Sequence, residues 1–244
     1  MTRARLDLRS WAALLLTLLA AWGLWAAWRS GLFAFLTEQP GEVWRLFNQH
    51  VILVFTSGIS ATAAGLALGI AISRPALRKL AHPAITLVGL GQTIPSLALL
   101  VLIFALVQQI GFLPAYLALT MATLLPIVRN TYLGLSGVEP SMLEAARGMG
   151  LSPGQVLRRI ELPNALTVIF AGIRTAVVIN VGSAALAFLI GGGGLGDLIF
   201  TGIDTRETDI LVAGTLPTVL LALALDWLLG RLERAIMPRG LREG

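Results

Sequence analysis

The chain has 244 residues, of which 56% are hydrophobic and 13% charged, and its formal net charge is +5. A soluble domain of this length does not need so much apolar surface, so the composition indicates an integral membrane protein. The chain has no cysteine, which excludes disulfides, thiolate metal sites and cysteine nucleophiles.

Six stretches are apolar enough to predict membrane spans. In chain order they are 10–28, 51–73, 84–109, 114–128, 166–190 and 210–229. The third and fourth come from one charge-free run, which Gly111-Phe112-Leu113-Pro114 divides. A signal peptide is the alternative for the first stretch, but the run is long for one and no small-residue cleavage site follows it. The first stretch therefore predicts an uncleaved anchor.

The distribution of Lys and Arg predicts the orientation in the membrane. With the N-terminus inside, fifteen of these residues fall in inner segments and three in outer ones, namely Arg29, Arg45 and Arg206. The positive-inside rule then places both termini and the loop 129–165 in the cytoplasm, and the excess charge faces anionic lipid. The arginines are scattered over several inner segments, which argues against a nucleic-acid surface.

These observations predict an all-α, polytopic membrane protein with three parts. Residues 1–49 form a transmembrane anchor and an outer loop, residues 50–230 form the main transmembrane domain, and residues 231–244 form a cytoplasmic tail. A polar loop, 139–165, interrupts the main domain.

The 139–165 loop carries the start and stop signals of two short helices. Pro140 and Ser141 favour a helix start, and the glycines at 148 and 150 end a helix over 141–148. Ser152 is suited to cap a second helix that begins at Pro153. Helix, glycine turn and helix together predict a compact projection from the membrane.

The spacing of residues within this loop resembles the cytoplasmic coupling loop of ABC-importer permeases. The matching positions are Glu144, Ala145, Ala146, Gly150, Ile160, Leu162 and Pro163. The resemblance implies a type I importer permease in a bacterial cytoplasmic membrane, coupled through these residues to a separate ATPase subunit. It also implies an extracytoplasmic binding protein and a second permease copy or paralogue, and that this chain binds no cofactor while its partner uses ATP.

Three further segments resemble the osmoprotectant branch of these permeases: 92–99, 125–131 and 190–196. That branch implies glycine betaine, choline or carnitine as the solute. The glycine run is shared with methionine-importer permeases, so an importer for methionine or another amino acid stays open. A secondary transporter would predict inverted repeats and charges at mid-depth, which the sequence does not clearly show.

Polar residues and glycines within or beside the spans are the candidates for a translocation path or gate. They are Gln92, Pro95, Ser96, Asn180, Gly191, Gly192, Gly193 and Gly194. Hydrogen bonding between helices and tight packing at a span terminus are the alternatives for these residues. The glycine run satisfies GxGxxG, but it follows an apolar span and lacks the strand-turn-helix setting of a dinucleotide site.

Several other residues carry simpler expectations. His50 lies at a predicted span boundary, so we expect it at the membrane interface. Asp226 lies about one turn from the inner end of the sixth predicted span, near Arg231, so we expect it to pair with an interfacial arginine. Gly65 and Gly69 predict close helix packing. The sequence has neither HExxH nor GxxxxGK[ST], so it predicts a transport subunit rather than an enzyme.

Overall fold

The computed structural model describes residues 8–237, and every regular element in that range is helical. The α-helices are α1 (Leu8–Arg29), α2 (Ala34–Glu38), α3 (Pro40–Ser73), α4 (Ala81–Thr93), α5 (Ser96–Val107), α6 (Phe112–Ser136), α7 (Pro140–Gly148), α8 (Pro153–Val156), α9 (Leu162–Ala184), α10 (Gly196–Thr205) and α11 (Thr208–Ile236). Short 3₁₀ helices cover Arg78–Leu80 and Ala185–Ile190, and a π-helical turn covers Leu157–Glu161.

Four helical segments of the described chain are long and apolar enough to cross a membrane. They are Pro40–Ser73, Phe112–Ser136, Pro153–Ile190 and Thr208–Ile236. Large apolar side chains lie on the exterior, including Leu106 and Leu223. Such surfaces are unfavourable in water and suit contact with lipid. The chain is therefore a multi-pass, all-α membrane protein.

Two of the six predicted spans, the first and the third, are not among these four segments. The stretch 84–109 is divided between α4, of 13 residues, and α5, of 12, each shorter than a bilayer-crossing helix. The break lies at Ile94 and Pro95, which are both extended. Pro95 has no N–H to donate and disfavours the helical conformation of the residue before it, so the helix ends there. The first predicted span coincides with α1, whose residues Trp11, Leu16 and Trp22 are exposed.

Helix α6 lies at the centre of the fold, between α3 and α9. A Cβ added to Gly69 of α3 would lie 2.5 Å from the Cβ of Thr131 on α6. On the opposite side, a Cβ added to Gly172 of α9 would lie 2.6 Å from the Cβ of Asn130. Only glycine allows backbones to approach so closely, which confirms the packing role predicted for the Gly65–Gly69 pair.

A smaller apolar cluster joins the N-terminal half of α3 to α10 and α11. Its buried members are Val43, Leu46, Leu195, Leu198 and Ala213. This cluster fixes the segment that follows α9, so the glycines at 191–194 are held against α3.

Candidate functional site

The first half of the 139–165 loop has the predicted helical form. Helix α7 begins at Pro140 after Glu139, whose Oε1 accepts a 2.7 Å hydrogen bond from the Ser141 hydroxyl. The helix ends at Gly148, and Gly150 adopts a left-handed conformation with φ of 80°. That conformation favours glycine, and it lets the chain turn after α7 without a side-chain penalty.

The second half begins where Ser152 starts a new helix at Pro153. The backbone N–H of Ser152 donates a 2.8 Å hydrogen bond to Oε1 of Gln155, which satisfies a free donor at the helix start. Helix α8 then continues through the π-helical turn Leu157–Glu161 into α9. The loop is thus helix, glycine turn, helix, and its second helix is continuous with a membrane span through the π-helical turn.

The matched positions of the loop differ in exposure, and they comprise exposed, buried and half-buried residues. Glu144, Ala145 and Gly150 are exposed, and no atom lies within 4 Å of a Cβ added to Gly150. Ala146 is buried, and its carbonyl accepts a hydrogen bond from the Leu151 N–H. The remaining three, Ile160, Leu162 and Pro163, are half-buried at the start of α9.

Two methionines on the loop were not selected from the sequence. Met149 is 71% exposed and Met142 is 45% exposed, beside the exposed part of the matched pattern. A flexible, apolar side chain held in the open on a polar projection is typical of a surface that binds a partner. The signal in the sequence was the presence of two methionines beside charged residues in a loop between membrane spans.

The glycine run forms a second distinctive feature, at the other end of α9. We call Ile190–Gly196 the glycine turn. Gly191, Gly193 and Gly194 all have positive φ, between 69° and 92°. The Gly111 N–H donates a 2.9 Å hydrogen bond to the Ile190 carbonyl, which ties the turn to the start of α6.

The glycine turn packs on α3 through two residues that the sequence did not single out for this role. Oε1 of Gln49 accepts a 3.2 Å hydrogen bond from the Gly194 N–H. His50 lies beside Gly194, and its Nε2 is 3.1 Å from the Val181 carbonyl. The interfacial position of His50 stays a prediction. Helix α3 begins at Pro40 rather than near 51, so His50 lies inside the helix and is fully buried.

The remaining path candidates do not form one cluster. Gln92 and Pro95 are exposed around the break between α4 and α5. Ser96 is partly buried, with its hydroxyl 3.4 Å from that of Ser183. Asn180 is fully buried and donates hydrogen bonds to the Val54 carbonyl at 2.9 Å and to Ser57. These contacts give Asn180 a place in helix packing and leave it no open surface.

An ionic cluster joins α9 to α11. Nε and Nη2 of Arg174 donate to the two carboxylate oxygens of Asp226, at 2.8 and 2.9 Å, and Nη1 lies 3.6 Å from Glu233. Asp226 is paired with an arginine, as predicted, but that arginine is Arg174. Asp226 is ten residues from the end of α11, because the helix continues to Ile236. Arg231 instead lies over the Trp227 ring.

Residues 8–237 contain no group of three histidine or acidic side chains suited to hold a metal ion. The glycine turn is flanked by helices alone, which is not the setting of a dinucleotide-binding motif. Within the described residues, the distinctive features are therefore a projecting loop and a packed turn at opposite ends of one helix.

A comparison with models of known protein families found a match over most of the chain. The model of the binding-protein-dependent transport system inner membrane component matches residues 61–238. The chain belongs to this family. Its members are the membrane components of ABC importers, so this chain is a transport subunit rather than an enzyme, and ATP hydrolysis lies on a separate subunit.

Two curated relatives and one solved structure show how far the similarity extends. The chain is 44% identical over 225 residues to the osmoprotectant import permease protein OsmY of Salmonella typhimurium, covering 92% of each chain. It is 38% identical to the choline transport system permease protein OpuBB of Bacillus subtilis, covering 85% of this chain and 94% of that one. An inward-facing structure of the MetNI methionine ABC transporter matches with a TM-score of 0.71 and 25% identity, over 82% of this chain and 99% of that chain.

Proposed function

We propose that this permease imports an osmoprotectant such as glycine betaine, choline or carnitine. The observation that carries the proposal is the 44% identity with a Salmonella osmoprotectant permease over nearly the whole length of both chains. A relative named for choline transport supports the same class of solute. In this proposal a separate binding protein delivers the solute, and this chain provides part of the membrane path.

The 139–165 loop is proposed as the contact with the ATPase. The exposed side chains of Glu144 and Met149 and the open turn at Gly150 form a compact projection on two short helices. Because the second helix continues through the π-helical turn into α9, a push on the loop is passed along the helix to a membrane span. The proposed contact and the helical turns that support it also include Ala145, Ala146, Ile160, Leu162 and Pro163.

The proposed orientation places this loop and both termini in the cytoplasm of a bacterial inner membrane. Six crossings follow if α1 supplies the first and the broken pair α4–α5 supplies the third. Residues 50–230 then form the transmembrane core, 1–49 the anchor with its outer loop, and 231–244 the tail, of which 238–244 lie outside the described residues.

The path itself is proposed to lie between this chain and a second copy or a paralogue. Gln92 and Pro95 are exposed and Ser96 is partly buried, all near the break between α4 and α5, where an interrupted helix offers backbone groups to a solute. The glycine turn is proposed as a rigid support for the outer end of that path. Asn180 is a weaker candidate, because its amide is already bonded to α3.

Methionine is the second candidate solute, because the matching solved structure is that of a methionine ABC transporter. Identity to that structure is 25%, against 44% to the osmoprotectant permease, so the first candidate is favoured.

The test is uptake of labelled glycine betaine into proteoliposomes that contain this chain, its ATPase and its binding protein. We expect uptake that requires ATP on the side of the 139–165 loop and is blocked by choline but not by methionine. Block by methionine alone would overturn the solute while keeping the importer. Uptake that ignores ATP and follows an ion gradient would overturn the proposed coupling.

A further inference from the structure

An ion pair with a buried carboxylate joins the 139–165 loop to a helix that the loop does not continue into. Glu161 is the last residue of the π-helical turn, and its side chain is 11% exposed. Its Oε2 lies 2.6 Å from Nη2 of Arg74, the residue that follows the end of α3. Glu161 occupies a position between Ile160 and Leu162 that the loop pattern leaves unspecified.

The burial of Glu161 makes this contact costly to lose. A carboxylate taken out of water is unfavourable unless a positive charge compensates it, and removal of one partner leaves the other buried and unpaired. The two charges are therefore expected to stay together while the surrounding helices move. A pair with that property transmits displacement from one helix to the other.

Arg74 is held firmly to α3 at its other contacts. Its guanidinium donates to the hydroxyl of Ser73 at 2.8 Å through Nη2 and to the carbonyl of Ile70 at 3.3 Å through Nε. The Arg74 guanidinium is thus fixed to the last turn of α3 by hydrogen bonds. Glu161 in turn belongs to the helix that leaves the loop.

The π-helical turn gives a reason for an ion pair that connects Glu161 to α3. A π turn holds one more residue than an α turn and its hydrogen bonds are less regular, so it is a place where a helix can bend. A push from the loop can be absorbed at Leu157–Glu161 before it reaches α9. A link at Glu161 passes the same push to α3 as well.

We infer that Arg74 and Glu161 are positioning residues that make α3 follow the 139–165 loop during the transport cycle. This inference rests on the proposed role of the loop as the ATPase contact. Its consequence is that the membrane core responds to the ATPase through two helices, α9 by covalent continuity and α3 by charge.

The experiment replaces the ion pair with a removable covalent tether in the reconstituted complex. The chain has no native cysteine, so R74C/E161C introduces its only two thiols. Uptake and ATP hydrolysis are measured before bridging with a bis-methanethiosulfonate reagent, after bridging, and after reduction. The solute taken up per ATP should be about fivefold or more below native without the bridge, return to within about twofold with it, and fall again on reduction.

A charge swap provides a second, independent variant. R74E and E161R each place two like charges together, whereas R74E/E161R restores an opposite pair, so the double variant should recover the uptake per ATP that each single one loses. The matched control is E42Q/R45Q, which breaks an exposed pair within the same helix and should leave the ratio unchanged.

The outcomes separate this inference from the proposed function. The absence of ATP-driven glycine betaine uptake by the native complex would contradict the proposed function. Native uptake together with an unchanged ratio in unbridged R74C/E161C would overturn the ion-pair inference alone. A swap no better than its single variants, with all variants folded by thermal melting, would also overturn it.

Discussion

The 139–165 loop and the glycine turn lie at opposite ends of α9, and both depend on glycines with positive φ. At Gly150 of the loop, an added Cβ would meet nothing within 4 Å. In the glycine turn, an added Cβ would lie 2.6 Å from Gln49 at Gly193 and 3.1 Å from His50 at Gly194. The same residue type therefore serves an open surface in one region and dense packing in the other.

This difference separates two meanings of a glycine-rich motif. Where a glycine has no neighbour in its own chain, the requirement for a small residue comes from backbone geometry or from a partner. Where it is surrounded, the requirement comes from the fold. We therefore expect substitutions in the glycine turn to reduce stability, and substitutions in the loop to reduce transport while stability is kept.

The largest loss of stability is expected from Gly196→Ala. An added Cβ would overlap the carbonyl oxygen of Ala185, a backbone atom that cannot rotate away. Such overpacking should cost about 3 kcal/mol or more. Thermal melting of the purified protein measures the loss, with Gly41→Ala as the control because no atom surrounds that glycine. Equal melting temperatures for the two variants would contradict the packing role of the turn.

A smaller loss is expected from Gly193→Ala. Alanine at a φ of 69° costs about 1–2 kcal/mol, but the nearest atom is the end of the Gln49 side chain, which can move. The melting temperature should fall between that of native protein and that of Gly196→Ala. If the contact between Gln49 and residue 193 contributes to the cost, the double variant Gln49→Ala/Gly193→Ala should lose less stability than the sum of the two single losses. Losses that add strictly would show that this contact contributes nothing.

Asn180→Leu distinguishes packing from solute contact in the C-terminal half of α9. The change removes hydrogen bonds to Val54 and Ser57 but keeps a similar volume, so we expect a loss of about 1 kcal/mol. The preference for choline over methionine in competition uptake should stay as in native protein. A changed preference with unaltered melting would instead place Asn180 on the path.

Gly150→Asp should have the smallest effect on stability and the largest on transport. Asp tolerates the left-handed conformation better than most residues, and no neighbour obstructs it, so the cost should be below about 1 kcal/mol. Melting should be near native, while ATP-dependent uptake is lost at the proposed ATPase contact. Gly41→Asp adds the same charge far from the loop and should transport normally. Normal uptake by Gly150→Asp would contradict the proposed contact.

Local signals in the sequence predicted the loop well. The starts at Pro140 and Pro153, the cap at Ser152 and the turn at Gly150 each depend on a few neighbouring residues, and the structure has all four. The close approach of two helices at Gly69 could also be predicted, because the spacing of Gly65 and Gly69 on one helix face is visible in the sequence.

Contacts between distant residues were predicted less well. Asp226 was expected to pair with an interfacial arginine, but the sequence did not identify Arg174, 52 positions away, as that arginine, because the pairing depends on how α9 and α11 cross. The burial of His50 was not predicted, because hydropathy does not show that α3 starts at Pro40. The sequence predicted one span over 84–109 and not the end of α4 before Pro95, since proline weakens a helix without specifying whether the chain resumes its direction.

The π-helical turn at Leu157–Glu161 also sets the direction in which the loop faces. Each residue advances an α-helix by about 100°, so one surplus residue rotates everything before it around the axis of α9. The face of α8 that is proposed to contact the ATPase is therefore out of phase with the stripe that α9 buries in the bundle. A single deletion within Leu157–Glu161 would bring the two into register and swing the projection to another side of the bundle, with every contact residue still present.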